Sequence, residues 1–105
     1  MKIKIFKDFI GDGFDTVNLE NEINNFIKNK KVIDLGADFR LECEDSYEEW
    51  YGKKFTFKDI HKNSIYGLPE FNGSRIKKFN IVANPGCYPT CSILSIYPLA
   101  KAGLI

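Results

Sequence analysis

Residues 79–91 read FNIVANPGCYPTC: an apolar run, a Pro-Gly corner, a cysteine, and then the start of an apolar pattern at helical spacing. The order is strand, corner, helix, and it puts Cys87 at the first turn of that helix. Backbone N–H groups at a helix start have no intrahelical acceptor and the macrodipole is positive there, so a thiolate at such a point is stabilised as a nucleophile. The same N–H groups can receive an oxyanion, so one turn can supply both an attacking group and its hole. Pro89 is tolerated because a first-turn residue needs no donor, and Gly86 lets a substrate or cofactor approach the backbone closely. On spacing alone three readings of Cys87 stay open: nucleophile, metal ligand, or small buried residue beside a tight turn. Cys91, four residues on, reads as packing. A zinc set of Cys43, His61, Cys87 and Cys91 is conceivable, but the C-x₃-C pair has no second close ligand pair to accompany it.

Upstream, KKVIDLG (30–36) is a short strand ended by Gly36. Before it, Leu19, Ile23, Phe26 and Ile27 form an amphipathic helical stripe, with Asn18 as the expected N-cap and an end near Asn29. The alternation in KIKIF (2–6) suggests a half-buried strand, and GDGFD (11–15) a turn. Ser46 and Glu49 make an S-x-x-E capping box over YEEWY, which Gly52 is placed to stop. Residues 53–78 are expected to be irregular, with turns at YGLPE (66–70) and FNGS (71–74). Beyond the corner, Ile93, Leu94, Ile96 and Tyr97 supply a helix that Pro98 is expected to break or kink and Gly103 to end. This order favours an α/β layer arrangement, with strands near Val32 and Ile81 neighbours in one sheet.

With 105 residues, 44% of them hydrophobic, the chain has room for about one small domain with a core. Its net charge of +1 gives no global pull toward nucleic acid or membrane. The acid-rich stretch Asp34 to Glu49 and the base-rich stretch Lys53 to Lys78 read as solvated faces. Lysines interrupt every apolar run of MKIKIFKDFI, and nothing approaches the ~18 apolar residues of a membrane span, so a cytoplasmic protein is expected. An odd number of cysteines, three, points to reduced thiols.

Five segments then carry a resemblance: VIDLGADFRL (32–41), YEEWYG (47–52), IYGLPE (65–70), IVANPGCYPT (81–90) and PLAKAGLI (98–105). In this order they resemble consecutive parts of the N-acetyl-gamma-glutamyl-phosphate reductases, over about residues 31–105. The resemblance implies an α/β fold: a partial Rossmann-like sheet of the semialdehyde dehydrogenase type with flanking helices. It implies NADPH as cofactor, a small acyl phosphate as substrate, a place in arginine biosynthesis, and a homo-oligomer for the full-length enzyme. No nucleic acid, membrane or metal is implied. In that family the cysteine of N-P-G-C-Y-P-T attacks the acyl phosphate, phosphate leaves, and hydride from NADPH releases the semialdehyde. Carried over, that cysteine is Cys87. Asn84, Pro85 and Gly86 would shape the pocket by the nicotinamide, and the Tyr88 N–H would be an oxyanion donor. Arg40 and Tyr66 fall at family motifs as substrate candidates. Arg40 could grip a phosphate or carboxylate bidentately or make a structural ion pair with a nearby acid. Tyr66 and Glu70 could equally fix the turn.

The chain departs from the family at its front. The family opens with a G-x-x-G-x-x-G turn for the cofactor pyrophosphate, whereas GDGFDT (11–16) has Thr16 at the third glycine, no helical pattern starting there, and phosphate-repelling Asp12 and Asp15. Residues 1–30 are therefore expected to be a divergent or compressed front part. The whole of 1–105 is expected to be a single partial domain, a truncated or fragmentary reductase, weakly active or inactive alone. The activating histidine of the family lies in its second domain, and His61, which precedes the cysteine, does not inherit that role. Two other classes stay open: a non-catalytic module that pairs with another polypeptide, and a small zinc-binding domain.

Overall fold

The computed structural model describes residues 16–28 and 30–105, with side chains from residue 21 onward. The expected KIKIF strand and GDGFD turn lie outside the described residues. Helix α1 spans Thr16–Ile27, strand β1 Val32–Asp34, helix α2 Glu44–Tyr51, helix α3 Lys58–His61, strand β2 Ser64–Tyr66, helix α4 Pro69–Ile76, strand β3 Ile81–Ala83, and helix α5 Cys87–Lys101.

The three strands form one parallel sheet in the order β1-β3-β2. Val32 pairs with Ile81 and Ile81 with Ser64, so the neighbours expected from sequence are neighbours, and β3 is central. Register is held at the strand starts. Val32 N–H donates to the Asn80 carbonyl at 2.8 Å, the Asn80 amide to the Ile27 carbonyl at 3.2 Å, and Lys31 Nζ to the carbonyls of Lys77 and Phe79 at 2.8 and 2.6 Å.

Parallel strands put registered side chains on the same face, so Val32, Ile81 and Ala83 look one way together. They join Ile23 and Ile27 of α1 with Phe39, Tyr47, Phe55, Phe57 and Ile60 in one buried cluster. Phe55 stands edge-on to Phe39 and Tyr47 within it. Each fully buried large side chain of this kind contributes about 1.5–3 kcal/mol. The opposite face is open at β1, where Ile33 is 57% exposed.

Four expectations are corrected. Helix α1 starts at Thr16, where no helical pattern was expected, so Asn18 lies inside it. Cys43, not Ser46, is the N-cap of α2, because Glu44 and Asp45 suit the positive first turn and start the helix earlier. Gly52 does end it, at φ 64° with its N–H on the Glu48 carbonyl at 3.0 Å. Residues 53–78 are not irregular: they hold α3, β2 and α4, and FNGS lies within α4. Finally, α5 is not broken at Pro98 but runs through it to Lys101, while Gly103 follows as the expected end at φ 69° with Leu104 N–H bonded back to the Leu99 carbonyl at 3.0 Å.

Candidate functional site

The ladder between β1 and β3 ends where Asn84 N–H donates to the Asp34 carbonyl at 2.7 Å. The chain then turns through Pro85 to Gly86, the extended N-cap of α5 at φ −72° and ψ 156°. Both the N–H of Thr90, at 3.0 Å, and its hydroxyl, at 2.8 Å, close on the Gly86 carbonyl. Pro89 has no N–H, so the donors left without an intrahelical acceptor in this first turn are those of Cys87 and Tyr88. Cys87 is the first helical residue and is exposed, at the carboxyl edge of the parallel sheet, where α/β folds bind ligands. Tyr88 beside it is 84% exposed.

Arg40 reaches this corner from the loop after β1. Its Nε donates to the Asn84 carbonyl at 2.9 Å and its Nη2 to the Leu35 carbonyl at 3.2 Å. A Cβ on Gly86 would stand 3.1 Å from Arg40 Nη1 and 3.3 Å from Pro89 Cδ, so a side chain there would press on both. Arg40, Tyr66, Phe71, Pro89 and Ile93 line a cleft of about 390 Å³ against the first turns of α5. The two substrate candidates are thus brought together, while Cys87 and Tyr88 are not in that lining. The Tyr66 hydroxyl is buried with no hydrogen-bond partner among the described residues. Glu70 is exposed in the first turn of α4.

The zinc set is not assembled: among the described residues no three His, Cys, Asp or Glu side chains are grouped to hold a metal. His61 lies elsewhere, with Nε2 at 2.7 Å from the Leu41 carbonyl, Nδ1 facing Glu44 at 3.6 Å, and its ring against Phe55. Cys91 is exposed rather than packed, because the outer side of α5 has no cover among the described residues.

Sequence reasoning missed two features. Cys43, the N-cap of α2, carries an exposed thiol that the backbone N–H groups of Ser46 and then Asp45 hold below its ordinary value. A cysteine directly before two acids that open a helix was the available signal. The second is the acid pair at the end of β1. Burial pushes the Asp34 carboxyl up, against the opposing Gly36 N–H at 3.0 Å, while Asp38 takes the Tyr47 hydroxyl at 2.7 Å. Burial and that bond to Asp38 push the Tyr47 phenol up.

No family model matches the chain. It is 59% identical over 80 residues to the N-acetyl-gamma-glutamyl-phosphate reductase of Clostridium beijerinckii, covering 75% of this chain and 23% of that protein. The identity is 61% over 75 residues with the reductase of the same name from Lachnoclostridium phytofermentans, covering 71% of this chain and 22% of that one. With the one from Campylobacter jejuni subsp. doylei it is 54% over 83 residues, covering 77% and 24%. The chain spans about a quarter of the length of these curated relatives, and over that span it belongs to the N-acetyl-gamma-glutamyl-phosphate reductase family.

Proposed function

We propose that the chain carries the nucleophile segment of an NADPH-dependent reductase of N-acetyl-gamma-glutamyl phosphate in arginine biosynthesis, with Cys87 as the attacking thiol. The observation that supports this most is the placement of Cys87, exposed at the first position of α5 directly beyond the central strand. The sulfur attacks the acyl carbon, the carbon–oxygen bond to phosphate breaks, and inorganic phosphate leaves with the bonding pair, giving a thioester on Cys87. The Tyr88 N–H receives the oxyanion, and Asn84 shapes the pocket. Arg40 and Tyr66, sharing one cleft, contact the substrate. A buried hydroxyl without a partner costs about 1–3 kcal/mol, which a substrate oxygen would offset at Tyr66.

Pro85 and Gly86 are the positions proposed beside the nicotinamide. The described residues do not otherwise fit a dinucleotide, because the open side of Gly86 is filled by Arg40 and Pro89 and no glycine-rich turn for a pyrophosphate is among them. These residues account for acylation. The rest of the cofactor site, hydride transfer and the general base belong to other parts of the enzyme. On this reading residues 31–105 are a partial Rossmann-like segment, 1–30 a divergent front part, and the enzyme a cytoplasmic homo-oligomer. No helix of the described residues is long and apolar enough to cross a membrane.

A second reading is favoured by one specific feature, α5, which has no buried residue among the described residues. It is a non-catalytic module that pairs with another polypeptide through this apolar side.

A chimera tests the first reading: residues 32–105 replace the matching segment of the C. beijerinckii reductase. It should form the semialdehyde, and Cys87→Ser should fall to background, since a hydroxyl forms no thioester and the covalent route is gone. Turnover in the Cys87→Ser chimera, or a folded NADPH-binding chimera inactive with Cys87 present, would overturn the assignment.

A further inference from the structure

The guanidinium of Arg40 is held by the backbone rather than by acids. Its Nε and Nη2 point at two carbonyls, Asn84 at 2.9 Å and Leu35 at 3.2 Å. Those carbonyls lie just past the last residues of neighbouring strands, Ala83 of β3 and Asp34 of β1. The sheet ladder stops there, at the bond from Asn84 N–H to Asp34 O. Arg40 therefore bridges the two strand ends where the ladder gives out, three residues before Cys87. Its remaining nitrogen, Nη1, lies against Gly86, so the guanidinium occupies the inside of the turn that launches α5.

We propose that Arg40 is a positioning residue that ties the Asn84 and Leu35 carbonyls together and so fixes the direction in which residues 85–87 leave β3 and present the Cys87 thiol. The proposal rests on the assignment of Cys87 as nucleophile. A planar fork suits this task, because Nε and Nη2 donate together along one edge to two acceptors. A lysine keeps the charge but carries it as a point on a flexible stem and cannot hold both carbonyls in one plane. With the bridge gone, the corner keeps the ladder bond at Asn84, the Asn84 amide on the Pro85 carbonyl and the Thr90 bonds to the Gly86 carbonyl, but loses the tie between the two strand ends that sets the first turn of α5 relative to the sheet. The same pinning leaves Nη1 beside the corner, so a contact between Arg40 and substrate is compatible with it.

The test is site-resolved alkylation of the chain by iodoacetamide, read by peptide mass spectrometry for Cys43, Cys87 and Cys91 separately. In the wild type, Cys87 should react faster than Cys91. In Arg40→Lys the Cys87 rate should fall about five- to thirty-fold, the upper part of the range spanned by loss of a helix-terminus interaction, while the Cys91 rate on the same helix stays within about twofold. Gly86→Ala, whose methyl would press on the guanidinium at 3.1 Å, should lower the Cys87 rate in the same sense and serves if the arginine variant does not fold. A Cys87 rate in Arg40→Lys equal to wild type would show that charge alone suffices and would overturn the positioning role. A parallel fall at Cys91 would show general loosening and overturn it too. Equal rates at Cys87 and Cys91 in the wild type would instead sink the nucleophile assignment, and the positioning role with it.

Discussion

The two ends of the chain's apolar content are treated in opposite ways. Phe55, Phe57 and Ile60, from the stretch between α2 and β2, are almost wholly removed from water, whereas Leu94, Ile96, Tyr97 and Leu99 of α5 are all exposed. Both groups are equally apolar by sequence. The difference is topological: one face of the sheet receives α1 and the aromatic cluster, while α5 meets α4 where Phe71 stands edge-on to Tyr97. The main buried cluster therefore lies on the α1 side of the sheet, and Cys87, the proposed nucleophile, stands at the start of a helix with no buried residue.

Truncation separates the two regions most sharply. Phe57 is 0% exposed, so Phe57→Ala should cost about 3–5 kcal/mol, a large part of the ~5–15 kcal/mol of a typical domain. Ile96 is 53% exposed, and Ile96→Ala should change stability by less than about 0.5 kcal/mol. Urea denaturation of the purified chain measures both. A cost at Ile96 comparable to that at Phe57 would mean that α5 is covered in solution, by a second copy or another part of the chain, and the contrast would collapse.

Two glycines test the backbone apart from burial. Gly52 sits at φ 64°, and a methyl there meets nothing within 4 Å, so Gly52→Ala isolates backbone strain and should cost about 1–2 kcal/mol. Gly73 lies inside α4, also with open space around it, and Gly73→Ala should stabilise by about 0.5–1 kcal/mol because the helix prefers alanine. A shared sign in thermal melts of the two variants would contradict the backbone conformations on which both expectations rest.

These glycines also mark what could be read in the sequence. The strand, corner and helix around Cys87, the pairing of Val32 with Ile81, and the Gly52 stop were legible because each depends on local pattern: apolar periodicity or a residue suited to a left-handed turn. Strand β2 was not, since a three-residue strand with only Ile65 fully buried shows no period. Helix α4 was hidden for a different reason. Asn72, Gly73 and Ser74 have turn propensity, but the Asn72 amide is buried and donates to the Tyr66 carbonyl at 3.0 Å, so tertiary context overrides propensity. At the site, the residue types were legible, but the grip of Arg40 on two carbonyls was not, because one of them, Asn84, lies 44 residues away in sequence. The exposure of Cys91 was misread because helical spacing predicts an apolar side without saying what covers it.

The smallest expected effect falls at Asp34, where the two regions join. Its side chain is 6% exposed, Oδ1 accepts from Gly36 N–H, and Oδ2 has no partner among the described residues. Burial, aided by repulsion from Asp38 and opposed by the Gly36 N–H and Arg40, lifts its pKa above the ordinary 3.8. Because the folded-state value is the raised one, the folded chain binds the proton more tightly than the unfolded chain does. Stability should therefore fall as pH rises from about 3.8 through the raised value, and stay at that lower level above it. Asp34→Asn keeps an acceptor for Gly36, cannot ionise, and no longer repels Asp38. It should be more stable than wild type at pH 7, with the advantage shrinking as the pH approaches 3.8, as read from urea midpoints across that range. An asparagine variant less stable than wild type at neutral pH would show instead that attraction between the Asp34 charge and Arg40 outweighs burial, and would move the electrostatic anchor of the Cys87 corner from the two backbone carbonyls to this carboxylate.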